Sequence, residues 1–220
     1  MIRTHTTTEL IAREGWKYVG LFFILFLLSC LVGFLEWVFL FLFFGTLYMY
    51  RNFERIPAED DKMALLAPAD GSVVDISKVI FQDGREFLKL EIRKNIWDMS
   101  ILRSPILANI SSTKRIHGLF LNIENPLSKK LNERAILRLK SELKPMFMVV
   151  TAGIFSRNIE IFKSVGPLKF AQRFGVLLDG SVELLLPIDT RIKVSLGDSV
   201  KAGESVLGYF AYGAKDDKQQ

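Results

Sequence analysis

The stretch LLDGSVELLLP, residues 177–187, reads as a buried strand interrupted near its start. Leucine and valine dominate it, and the residues that do not fit are Asp179, Gly180 and Ser181. Glycine weakens a strand and usually marks a bulge or a close approach of backbones. One reading is therefore a structural kink. The other is that Gly180–Ser181 is a bond the protein uses. In a regular strand Asp179, Ser181 and Glu183 share a face, which sets two carboxylates beside a hydroxyl. They can serve it as a base, but they also repel an anionic substrate.

Working outward, short apolar runs separated by turn signals dominate everything after Pro57. LAPADGSVVDISKVI sets a Pro-Ala-Asp-Gly turn before an alternating strand. FQDGREFLKLEI carries Asp83-Gly84 between strand-like flanks, a hairpin signal. KKLNERAILRLKSEL, residues 129–143, intersperses charges among leucines and predicts a helix. The segments FMVVTAGIFSRNIEIF and IKVSLGDSVKAGESVLGYF are strand-rich. The expected fold class is mostly β (α+β). LGDSVKAGESVLGYF and APADGSVVDI together are similar to the flattened barrel-sandwich hybrids of lipoyl and biotinyl carrier domains, without the hairpin-tip lysine that those carriers present.

The N-terminal part is of another kind. Between Tyr18 and Tyr50 the only charge is Glu36. As one helix, these residues would span roughly 50 Å, against about 30 Å of bilayer hydrocarbon. Either one long tilted span or two short helices turning near Gly33 and Glu36 fits. A hairpin keeps Arg13 and Lys17 on the same side as Arg51 and Arg55, the cytoplasmic side by the positive-inside rule. It also leaves Glu36 near headgroups, not stranded at mid-membrane. The expectation is an N-terminal hydrophobic helical hairpin, with residues 1–57 as the membrane-anchoring segment and residues 58–220 as one β-rich domain. The run is too long for a cleaved signal peptide and no small-residue cleavage site follows it.

Composition narrows the chemistry. The single cysteine, Cys30, lies in the apolar segment, so neither a disulfide framework nor a thiolate metal site is available. His5 and His117 are the only histidines, and no metal site is expected. The formal net charge of +5 suits a protein lying against anionic lipid. No basic stripe interleaves with aromatics, so nucleic acid is not an expected partner.

Read in order, AREGW, YRNFERIP, APADGSVV, IWDMSILRSP, the Asn132-Glu133-Arg134 triplet, TAGIFSRNIEIF, RFGVLLDGS and GDSVKAGESVL resemble the phosphatidylserine decarboxylase family in its short, membrane-tethered prokaryotic form. The resemblance implies a decarboxylase-like domain and self-cleavage before a serine. Here Ser181 Oγ would attack the Gly180 carbonyl, an N-to-O acyl shift would give an ester, and β-elimination would leave a pyruvoyl group derived from Ser181. Such a step needs an activated hydroxyl, a donor for the oxyanion and backbone able to strain, which Gly180 can supply. The pyruvoyl group is the implied cofactor and an electron sink for decarboxylation of phosphatidylserine.

The resemblance also implies the remaining site residues. Asp70, in PADG, matches the acid of an Asp-His-Ser processing scheme, although an Asp closing its own turn explains it as well. Asp98 joins it as a catalytic candidate. Arg103 and Arg157 are candidates to hold a lipid phosphate or carboxylate by a forked contact. The implied partners are membrane phospholipid and the two processed fragments held as one unit, with a homo-oligomer open. The implied location is the cell inner membrane, the domain facing the cytoplasm. Two departures stand out. Asp98-Met99-Ser100 occupies the family's Asp-Val-His, and a serine cannot titrate near neutral pH. One residue is also lost just after Ser181. A catalytically inactive homologue that binds phospholipid or a protein partner at the membrane is therefore the alternative.

Overall fold

A computed structural model describes residues 11–12, 15–53, 55–58, 61–80, 84–141, 145–156 and 158–211. Its contacts divide the chain into two units, Met1–Glu54 and Arg55–Gln220. In the first, helix α1 (Trp16–Val32) ends at Gly33, whose left-handed backbone (φ +69°) stops it, and helix α2 (Glu36–Met49) follows at once. Both are apolar on every side. Ala12 donates its N–H to the Tyr50 carbonyl at 2.9 Å, and Tyr18 stacks on Tyr50 with centroids 5.8 Å apart. Among the described residues no helix is long and apolar enough to cross a membrane.

The second unit is built of strands. In chain order they are β1 (Ala64–Leu66), β2 (Gly71–Ile80), β3 (Glu86–Lys94), β4 (Ile101–Arg103), β5 (Ala108–Ile116), β6 (Arg134–Lys140) and β7 (Pro145–Ala152). There follow β8 (Glu160–Ile161), β9 (Gly166–Leu168), β10 (Arg173–Val176), β11 (Gly180–Pro187), β12 (Arg191–Ile192), β13 (Ser199–Val200) and β14 (Val206–Tyr209). One short helix, α3 (Ser128–Leu131), precedes β6. The unit is thus mostly β with little helix, as the turn-punctuated sequence predicts. The large sheet runs β13-β2-β3-β11-β7-β6-β5-β9, and two three-stranded sheets run β1-β14-β12 and β4-β10-β8. Their strand pairs are antiparallel.

Alternation along β11 fixes which face is core. Val182, Leu184 and Leu186 are buried with Leu90 and Ile92 of β3 and Met148 and Val150 of β7. Ser181 and Glu183 therefore project from the opposite face. β2 and β3 pair from Ser72–Arg93 to Ile80–Glu86 as the hairpin signal requires, and residues 81–83 of its turn lie outside the described residues.

The helix expected over residues 129–143 is corrected. Among the described residues of this stretch only Ser128–Leu131 is helical, and Arg134–Lys140 is strand β6. The sequence RAILRLK buries Ala135, Leu137 and Leu139 and exposes Arg138 and Lys140, a period of two. Pairing with both β5 and β7 outweighs the helical preference of leucine, arginine and lysine. Asn132 follows α3 directly, before β6. It is buried, and its side-chain amide donates to the carbonyls of Leu121 and Ala152, both at 2.8 Å.

Candidate active site

Gly180 and Ser181 open β11 between two partners that are distant in sequence. Gly180 pairs with Lys94 and Ala152, and Ser181 with Arg93 and Thr151. The local conformation is unusual in two ways. Gly180 has φ +148°, a region that side chains rarely adopt, and a Cβ there would collide with the Thr151 carbonyl oxygen. Ser181 is 1% exposed and its Oγ is buried with no hydrogen-bond partner. An unsatisfied buried hydroxyl costs about 1–3 kcal/mol. A backbone conformation open only to glycine, beside an orphaned buried hydroxyl, marks this bond as a candidate functional site.

The segment before the bond is held by the loop after β7. Gly153 N–H donates to the Asp179 carbonyl at 2.9 Å, Phe155 N–H to Asp179 Oδ2 at 3.3 Å, and Leu178 N–H to Ser156 Oγ at 3.0 Å. Arg157, next in that loop, lies outside the described residues.

Asp70 lies just before β2, whose Gly71 approaches the Arg93 carbonyl too closely for any side chain. Its carboxylate is gripped by Arg55, with Nη1 on Oδ1 at 2.5 Å and Nη2 on Oδ2 at 2.8 Å, and it accepts the Ala202 N–H at 2.8 Å. Burial pushes this carboxyl up, but the Arg55 and Ala202 bonds and the nearby Lys94 charge outweigh it, so it stays below the ordinary range. Lys94 is wholly buried and donates Nζ to the carbonyls of Asn95 (3.2 Å) and Asp98 (3.0 Å). It thereby ties the loop after β3 to the row containing Gly180.

The other predicted residues are more dispersed. Asp98 closes that same loop, its Oδ2 accepting the Asn95 N–H at 2.8 Å. Ser100 is buried and its Oγ has no partner. Arg103 is buried on β4, in a different sheet, and donates Nη1 to the Ala171 carbonyl at 3.3 Å. His117 is exposed, its Nδ1 3.6 Å from Glu133 Oε2. Among the described residues no cluster of histidine, cysteine, aspartate or glutamate could hold a metal ion.

Sequence reasoning missed Arg55, Lys94 and Arg93, which no local pattern marks. The register brings them in. One row crosses the sheet from Ser72 through Arg93, Ser181 and Thr151 to Arg134. The next row on that face holds Asp75, Glu91 and Glu183. Lys129 reaches across it to Glu91 at 2.5 Å and Glu183 at 3.9 Å, while Lys89 meets Asp75 at 2.6 Å. Burial, and then the neighbouring Glu91 charge, push the Glu183 carboxyl above its ordinary range despite the lysines. A titratable carboxyl thus shares the face of Ser181.

Comparison with known proteins gives a consistent result. The profile of the family described as phosphatidylserine decarboxylase matches residues 42–208. A phosphatidylserine decarboxylase proenzyme of Desulfotalea psychrophila is 33% identical over 205 residues, covering 90% of this chain and 95% of the relative. One from Burkholderia cenocepacia is 34% identical over 207 residues, with 90% and 95% covered. One from Cupriavidus pinatubonensis is 33% identical over 210 residues, with 90% and 94% covered.

Proposed function

The chain belongs to the phosphatidylserine decarboxylase family, a family of carboxy-lyases, and from that premise we propose that it decarboxylates phosphatidylserine to the ethanolamine phospholipid after cutting its own Gly180–Ser181 bond. The observation that carries this reading is the Ser181 hydroxyl, buried without a partner directly after a glycine with φ +148°.

In the first step Ser181 Oγ adds to the Gly180 carbonyl carbon and the C–N bond breaks, giving an ester and a free amine. Loss of the Ser181 α-proton expels the Gly180 carboxylate. The enamine left behind tautomerises, and water replaces its nitrogen, released as ammonia, to leave a pyruvoyl group. That group supplies the electron sink for the pair left behind as CO₂ departs. The surrounding residues fit this role. Gly180 permits the φ +148° backbone next to the carbonyl that is attacked, and Lys94 and Asp70 fix the strand ends around it. Glu183 is the proton-carrying group on the serine's own face, where Ser100 cannot serve.

The anchoring is part of the same proposal. The apolar pair α1 and α2 lodges in the inner membrane as a hairpin with both ends cytoplasmic, and the β-rich unit, of barrel-sandwich character, faces the cytoplasm. The two processed fragments stay together because β11, which begins at the cut, is paired along both edges. The test is release of labelled CO₂ from carboxyl-labelled phosphatidylserine in vesicles by the full chain and by Ser181→Ala. Release by the first and none by the second is expected. No release by either contradicts decarboxylation and leaves lipid binding without chemistry.

A further inference from the structure

Arg93 is the direct cross-strand neighbour of Ser181, on the same face, where paired residues have Cβ atoms about 4.5–5.5 Å apart. Its Nε is buried and has no hydrogen-bond partner, as is Ser181 Oγ beside it. Its ion pair, Nη1 to Glu124 Oε1 at 3.2 Å, is made with a side chain that is 70% exposed, while that of Arg93 is 35% exposed. Exposed pairs of this kind contribute little, so the guanidinium is not consumed by the fold. Other arginines near the site differ. Arg55 is held in a fork by Asp70, and Arg134 donates to the carbonyls of Lys129 and Lys130.

A planar, forked cation beside the reacting residue matches a phosphate or a carboxylate, and a serine phospholipid headgroup carries both. The two are not equivalent. The carboxylate loses its charge as CO₂ leaves, so a guanidinium bonded to it would stabilise the ground state more than the transition state. The phosphodiester keeps its charge throughout. The same face already holds Asp75, Glu91 and Glu183 against Lys89 and Lys129, so an incoming anion needs a further cation. We propose that Arg93 is the phosphodiester-binding residue of this site, and that Glu124 is an internal anion which occupies the guanidinium until a headgroup displaces it.

This rests on the decarboxylase reading, and its test is a binding measurement separate from turnover. Glycerophosphoethanolamine has the phosphodiester and no carboxylate; serine has the carboxylate and no phosphate, and both carry the same primary amine. NMR titration of the full chain in detergent micelles with each probe should show Arg93→Met weakening glycerophosphoethanolamine about tenfold or more and leaving serine unchanged. Glu124→Gln should tighten glycerophosphoethanolamine a few-fold. Loss of serine binding alone would reassign Arg93 to the carboxylate and overturn the proposal, as would no change for either probe. Should Arg93→Met fail to fold, an unaltered affinity in Glu124→Gln overturns it. A chain that releases no CO₂ yet loses the phosphodiester probe on Arg93→Met would sink the decarboxylase reading and keep this site.

Discussion

At Gly180 the backbone takes φ +148° and the Thr151 carbonyl occupies the space of a Cβ. Gly180→Ala therefore has to move either β7 or the scissile carbonyl, at about 1–3 kcal/mol. The expected outcome is a lower urea midpoint together with an uncut chain on a denaturing gel. Cleavage at the native rate with an unchanged midpoint would show that the conformation is incidental. The two readings that the sequence allowed for Asp179-Gly180-Ser181, a kink or a used bond, are not exclusive. The strand keeps its register without a bulge, but the close backbone approach is real, and it sits at the start of a central strand with a buried hydroxyl that nothing satisfies. What the sequence could not reveal at this scale are the partners. Arg55 reaches Asp70 and Arg93 reaches Glu124 only because distant segments meet, and an arginine in a turn or strand looks the same whether or not it has a carboxylate to hold.

At the scale of the element, β11 carries two chemistries on its two faces. Val182, Leu184 and Leu186 build the core, while Ser181 and Glu183 lie among charges. Burial and Glu91 raise the folded-state pKa of Glu183 above its ordinary 4.5. The folded protein therefore binds that proton more tightly than the unfolded chain, and the stability so linked is lost as pH rises through the folded value. Glu183→Gln should accordingly raise the thermal midpoint at pH 8 and leave it nearly unchanged near pH 4, while slowing self-cleavage. An equal gain at both pH values would mean that titration of Glu183 is not the cause. Strands were legible where alternation or an apolar run between turn signals marked them, as in β2, β3 and β11. Residues 134–140 were misread because charges among leucines mimic an amphipathic helix, and only pairing with β5 and β7 decides the period. The order β3-β11-β7 was not legible at all, since inserting a late strand between two earlier ones leaves no local mark.

For the whole molecule, α1 and α2 at 1.5 Å per residue reach about 25 Å and 21 Å, short of the roughly 30 Å hydrocarbon core. These lengths fit the proposed dip into a membrane and return better than a full span. The proposed function of the β-rich unit turns on one bond, Gly180–Ser181. β11 is paired along both edges, so a cut at its first residue can leave the sheet intact and the new terminus held in register with Arg93, Lys94 and Thr151. If the proposed maturation occurs, this bond is broken in the mature protein, and intact mass spectrometry of the full chain purified from membranes reads that out. The expected result is a large fragment ending at Gly180 and a small one whose N-terminus, at position 181, is a pyruvoyl group and resists Edman degradation. A single unbroken chain of 25.1 kDa would contradict it.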